Sequence, residues 1–113
     1  VGIGASDASE SLEVIGNVKA SGDFISLSDE SVKTDIENIT DALGLVRNLR
    51  GVFYRFSDSD DEKRHLGLIA QEVEQFIPEV IFEDSEGLKS ISYANLVAIL
   101  IEAVKQLDDK ITN

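Results

Sequence analysis

The sequence predicts an α+β fold of helices and short β-strands that ends in a long C-terminal helix. Three observations carry that prediction. Val32, Ile36, Ile39, Leu43 and Val46 recur at three- and four-residue steps, the period of one helix face. Runs rich in β-branched and aromatic residues at 52–56 and 80–82, and the short run Leu88-Lys89-Ser90-Ile91, are bounded by turn-forming residues, as strands are. Tyr93, Val97, Leu100, Val104, Leu107 and Ile111 then step by four, three, four, three and four, which is a heptad seam.

Each element follows in chain order. Residues 1–27 are rich in Gly and Ser, with short alternating stretches at Leu12-Glu13-Val14-Ile15 and Val18-Lys19-Ala20. Gly16-Asn17 between them reads as a turn. This segment looks like the end of an elongated β structure without a core of its own, and a chain that opens on Val reads as a piece of a longer polypeptide. From Asp29 the pattern is helical. Ser28 or Asp29 is placed to cap the helix, Glu30 suits its first turn, and Gly51 ends it. A strand at 52–56 and the charged loop SDSDDEKR at 57–64 come next. The loop lacks the glycine and terminal Glu of an EF-hand, so it reads as a solvated hairpin loop and not a calcium site.

Ile69, Val73, Phe76 and Ile77 define a short amphipathic helix stopped by Pro78. The strands at 80–82 and 88–91 flank a turn at 83–87 and predict a hairpin. Ser92 is placed to cap the last helix. There Leu96, Ile99 and Ala103 widen the apolar stripe, so two faces are available for packing. The natural use of the heptad seam is association between helices.

Composition narrows the function. The 113 residues, 42% hydrophobic but only 6% aromatic, suffice for one domain or a domain with an appendage. A net charge of −12 argues against nucleic acid as a partner. With no Cys there are no disulfides, thiolate metal sites or cysteine nucleophiles, and a lone His gives no zinc cluster. No metal or other cofactor is expected. No apolar run approaches the ~20 residues of a membrane span, so no membrane partner is expected.

The candidate chemistry lies in LSDESVK. A serine needs a nearby base to become a nucleophile, and Lys33, five residues after Ser28, is such a base in Ser-Lys catalysis. The spacing alone is unspecific: 12 serines and 6 lysines in this length give roughly 0.6 chance matches. Its company is more telling. SDESVKTDI, HLGLIAQEVEQFIPEVI and GLKSISYANLVAILIEAVKQL together resemble, in that order, the C-terminal intramolecular chaperone domain of phage tail spikes and tail fibres. This is the endosialidase-type autoproteolytic domain.

The resemblance covers residues 28–113, and residues 1–27 resemble the stalk end that precedes such a domain. It implies an intertwined homotrimer with coiled-coil-like helix packing and an upstream β-rich stalk of the same polypeptide as partner. The place implied is a virion precursor assembled in the host cytoplasm. The implied activity is folding assistance followed by self-cleavage between Leu27 and Ser28, with Ser28 as nucleophile and Lys33 as general base. Asp29 follows the serine as in many relatives. Ser31 departs from the pattern, where members often carry Arg, and so does Asp35, where Asn is frequent. The alternative is a structural trimerisation cap that does not cleave.

The chemistry sets expectations for the site. A lysine acts as a base only as the neutral amine, and an ordinary pKa of about 10.4 keeps it charged at neutral pH. Burial and the positive end of a helix both favour the neutral form. Ser28 is therefore expected in the extended approach to the helix, with Lys33 in the first turn and free N–H groups at that helix end to hold an oxyanion. Asp29, His65 and Gln71 are candidates for supporting roles. His65 has a plain structural alternative as a hydrogen-bonded residue before a helix.

Overall fold

A computed structural model describes residues 1–112. It is a mixture of short strands and helices ending in a long helix, the α+β class predicted. The chain divides into two compact units, Val1–Asn38 and Ile39–Asn113.

The first unit has little regular structure. Strand β1 (Gly2–Ile3) pairs in parallel with β2 (Glu13–Val14). Glu13 N–H donates to Val1 O at 2.9 Å and Ile15 N–H to Ile3 O at 2.8 Å. Val18-Lys19-Ala20 forms no strand, so the local pairing expected across Gly16-Asn17 is replaced by pairing with the start of the chain. Glu30–Val32 form a single 3-10 turn.

The continuous helix expected from Asp29 to Gly51 does not form. After the 3-10 turn the chain runs without helix until α1 (Ala42–Arg47). The reason lies between the apolar positions. Thr34, Ile36, Ile39 and Thr40 are β-branched, and Asp35, Asn38 and Asp41 offer side-chain bonds that compete with the helix ladder. Asp35 and Asp41 take left-handed φ values of 54° and 51°, a region Asp tolerates better than most residues.

The second unit holds the core. Strands β3 (Val52–Tyr54) and β4 (His65–Gly67) pair antiparallel around the charged loop, with Phe53 opposite Leu66 and Tyr54 opposite His65. Helix α2 (Ala70–Glu74) follows, and Pro78 opens a 3-10 turn at Pro78–Val80. Strands β5 (Ile81–Glu83) and β6 (Lys89–Ile91) form the predicted hairpin. Asp84 Oδ1 accepts the N–H groups of Glu86 and Leu88 at 2.9 and 3.0 Å, and Gly87 supplies the positive φ of 83° that closes the turn. Ser92 stands at the N-cap position of a 3-10 turn (Tyr93–Asn95) that leads into α3 (Leu96–Thr112), but its side chain makes no capping bond. Its backbone does the work instead: Ser92 O accepts Asn95 N–H at 3.3 Å.

Ala42, Val73, Ile77, Val80, Leu96, Ile99 and Ala103 are the buried hydrophobic residues, joined by partly buried Ile39, Leu45, Val46, Leu49, Leu68, Ile81 and Ile91. Helix α1 lies against α3, where Leu43 N–H donates to Gln106 Oε1 at 2.9 Å. The stripe turned into this core is thus Leu96, Ile99 and Ala103. The heptad seam faces outward, with Val97, Leu100, Val104 and Ile111 at 53, 50, 64 and 75% exposure. The chain thus leaves an apolar stripe along one side of α3 exposed. Tyr93 starts the seam half-exposed, its hydroxyl accepting Leu68 N–H at 2.9 Å. That hydroxyl lies where Gly67 would carry a Cβ, at only 2.6 Å, so the close approach requires glycine.

Candidate functional site

The site begins with a bond across five residues. Lys33 Nζ donates to Ser28 Oγ at 2.5 Å. On an α-helix these positions are rotated by about 140° and face apart. The single 3-10 turn removes that obstacle. Asp29 enters it extended (φ −65°, ψ 141°) and Lys33 leaves it extended (φ −119°, ψ 142°), so the chain doubles back around Glu30–Val32. Val32 N–H donates to Asp29 O at 3.2 Å and Lys33 N–H to Glu30 O at 3.1 Å, which closes the turn.

Two expectations about this turn need correction. Lys33 sits at the C-terminal end of a three-residue turn and not in the first turn of a long helix. It therefore gains nothing from a positive helix end, because the partial positive charge of a helix lies at its N-terminus. The helix-end N–H groups expected to hold an oxyanion are also engaged: those of Ser31, Val32 and Lys33 all donate within the turn. In the single chain Ser28 and Lys33 are exposed, and so is Leu27. This chain's own fold leaves the lysine uncovered.

Asp29 caps the turn. Its carboxylate accepts Ser31 N–H at 3.0 Å and also the Ser31 hydroxyl. These bonds, the hydroxyl first and the backbone N–H second, hold the Asp29 carboxyl below its ordinary pKa. Ser31 was legible only as a departure from the family pattern. The signal for its role was nevertheless present, since Asp-x-Ser is the spacing at which an Asp side chain bonds the backbone two residues on.

The other two candidates belong to the second unit. His65 stacks on Tyr54 with ring centroids 5.5 Å apart and meets Phe56 edge-on at 5.0 Å, so its ring is part of an aromatic cluster on the β3–β4 hairpin. Gln71 lies at the start of α2 and lines a cleft of about 590 Å³ with Tyr54, Lys89 and Tyr93. Nearby, Arg50 pairs with Glu72 at 2.7 Å and Lys89 with Glu74. The Arg50 guanidinium lowers the Glu72 carboxyl, and the Glu74 carboxylate raises the Lys89 ammonium. Both pairs tie α2 to its surroundings. Among the described residues no helix is long and apolar enough to cross a membrane.

Residues 28–82 match the family described as chaperone of endosialidase. That segment belongs to the endosialidase chaperone family. The match opens on Ser28, at the expected cut, and ends within β5. The chain is also similar to the long tail fiber protein Gp37 of Enterobacteria phage K3, with 31% identity over an alignment of 102 residues that covers 84% of this chain. The Gp37 protein of Enterobacteria phage T2 matches to the same extent. The chain spans only 8% of the length of either fibre protein. The endosialidase chaperone segment therefore contains both Ser28 and Lys33 together with β3 and β4, while α3 lies beyond the family match.

Proposed function

We propose that this chain is the self-releasing chaperone end of a phage tail fibre, a component of the virion. Residues 1–27 are the end of the β-rich stalk, and residues 28–113 form the chaperone and autoprotease domain. Three copies assemble through the outward seam of α3, an intertwined homotrimer forms, and the upstream stalk folds upon it. The domain then cuts the bond between Leu27 and Ser28. The observation that carries this reading is the Lys33 Nζ to Ser28 Oγ bond, which supplies a nucleophile and a base at the first residue of the family match.

The chemistry is single-turnover and needs no substrate pocket, because the substrate is the preceding peptide bond. Neutral Lys33 takes the Ser28 hydroxyl proton as Oγ attacks the Leu27 carbonyl carbon. Collapse breaks the C–N bond, and the proton passes from the Lys33 ammonium to the leaving Ser28 nitrogen. The Leu27 acyl group is then an ester on Ser28 Oγ. Water hydrolyses it, leaving a Leu27 carboxylate and a new chain that starts with the free amine of Ser28.

Assembly is the step that makes Lys33 competent. In one chain it is exposed, and covering it by neighbouring copies favours the neutral amine. Cleavage then follows correct trimer formation. The test is the first-order cleavage rate across a dilution series, with N-terminal sequencing of the product. The rate is expected to fall as chains dissociate, and the product to start at Ser28. A monomer that cuts itself at the trimer's rate would end this reading of assembly control. The second reading, a structural trimerisation cap that never cleaves, is favoured by the seam alone, which needs neither Ser28 nor Lys33.

A further inference from the structure

The turn that joins the nucleophile to its base has little to hold it. None of its residues is buried, and Val32 is 58% exposed, so apolar packing within the chain does not fix it. Its own ladder is two backbone bonds, at 3.2 and 3.1 Å. A single turn in water is not stable by itself, since ordering three residues for one or two bonds is unfavourable. Yet the dyad depends on it. Were residues 28–33 extended, five steps of about 3.3 Å would carry Lys33 far from Ser28.

We propose that Asp29 and Ser31 form a clamp that positions the dyad. The inference rests on the Ser28–Lys33 reading above and deepens it. The Asp29 carboxylate spans the turn from its entry and takes both donors of Ser31, the N–H at 3.0 Å and the hydroxyl. It bonds neither Ser28 nor Lys33, so it acts through the backbone and is a positioning residue, not a catalytic one. Ser31 contributes the hydroxyl that a residue without a short donor side chain would lack. In this chain Ser31 is therefore part of the device that brings Lys33 round.

The test separates the clamp from the charge of Asp29. Asp29→Ala and Asp29→Asn both remove the charge, but only the second keeps an oxygen that accepts Ser31 N–H. Self-cleavage of the full chain is followed by intact mass from neutral to alkaline pH. On the alkaline plateau Asp29→Ala is expected to cleave about fivefold or more slowly than Asp29→Asn, the factor typical of a lost cap. Ser31→Ala falls between them, because its N–H remains. Equal plateaus for the two Asp29 variants would overturn the clamp, and a shared shift of the pH midpoint would assign the effect to charge instead.

Ser28→Ala run in parallel isolates the underlying reading. Product from that variant would overturn the dyad, whereas loss of product beside equal Asp29 plateaus would overturn the clamp alone. A second readout does not require cleavage. In a Lys33→Ala background, the Ser31 amide is expected to exchange slowly with solvent, to stay slow with Asp29→Asn, and to exchange faster with Asp29→Ala. Identical exchange in all three would refute the clamp.

Discussion

Ile99 and Leu100 are adjacent on α3 but face different worlds, and substituting each to Ala separates the chain's own core from its assembly face. Ile99 is 9% exposed and packs among Val73, Val80 and Ala103, whereas Leu100 is 50% exposed. Full burial of a leucine stabilises by about 1.5–3 kcal/mol, so the half left uncovered is worth about 1 kcal/mol per copy when a neighbour covers it. Over three copies that is about 3 kcal/mol, or roughly a hundredfold in the association constant of the trimer. Ile99→Ala instead leaves a cavity inside each chain, at about 2–5 kcal/mol. The assay is sedimentation across a concentration series, in a Ser28→Ala background to prevent cleavage, beside thermal melts. Leu100→Ala is expected to shift assembly to higher concentration with a modest change in the melting of the dissociated chain. Ile99→Ala is expected to lower that melting temperature. Unchanged assembly in Leu100→Ala would refute the assignment of the seam to helix association.

Three further outcomes follow from particular contacts. Gly67→Ala places a methyl 2.6 Å from the Tyr93 hydroxyl and is expected to destabilise the fold by about 1–3 kcal/mol in denaturant titration, with Tyr93→Phe relieving part of the loss. Asp29 has a depressed carboxyl pKa, so its contribution to the 3-10 turn is present above the ordinary Asp value and is lost as pH falls through the lower folded one. Protection of the Ser31 amide is expected to hold at neutral pH and to disappear as pH falls below the ordinary Asp range. After the cut, four of the 22 acidic and one of the 10 basic residues stay with the stalk, leaving 18 acidic and 9 basic side chains on the released piece, a charge of −9. Three pieces carry −27 and repel, so dissociation of the freed trimer is expected to slow as salt rises. A salt-independent off-rate would remove the electrostatic explanation.

Much of the second unit was legible because its signals are local. Turn formers bracket β5 and β6, Pro78 stops α2, and the three-four spacing from Tyr93 to Ile111 marks both α3 and its outward face. The region before it was not, because apolar spacing says nothing about the residues between. Val32, Ile36, Ile39, Leu43 and Val46 keep helical register, yet Thr34, Asp35, Asn38, Thr40 and Asp41 break the helix. Only Ile39, Leu43's backbone and Val46 reach the core or its partners. Val32 and Ile36 stay exposed. The pairing of Gly2–Ile3 with Glu13–Val14 depends on register between distant segments, which alternation within either stretch does not encode. At the site, Ser28 and Lys33 were singled out by resemblance, but the expected long helix with Lys33 in its first turn gave the wrong geometry for their meeting. The tight turn between them is bridged by the Asp29–Ser31 bond, a local polar contact with no periodic signature.

The central claim is self-cleavage by Ser28 and Lys33, and intact mass of the purified chain over time, beside Ser28→Ala and Lys33→Ala, tests it most directly. The account predicts a product beginning at Ser28 from the unsubstituted chain and none from either variant. Cleavage that persists in Ser28→Ala or Lys33→Ala, or an unsubstituted trimer that stays whole, would contradict it.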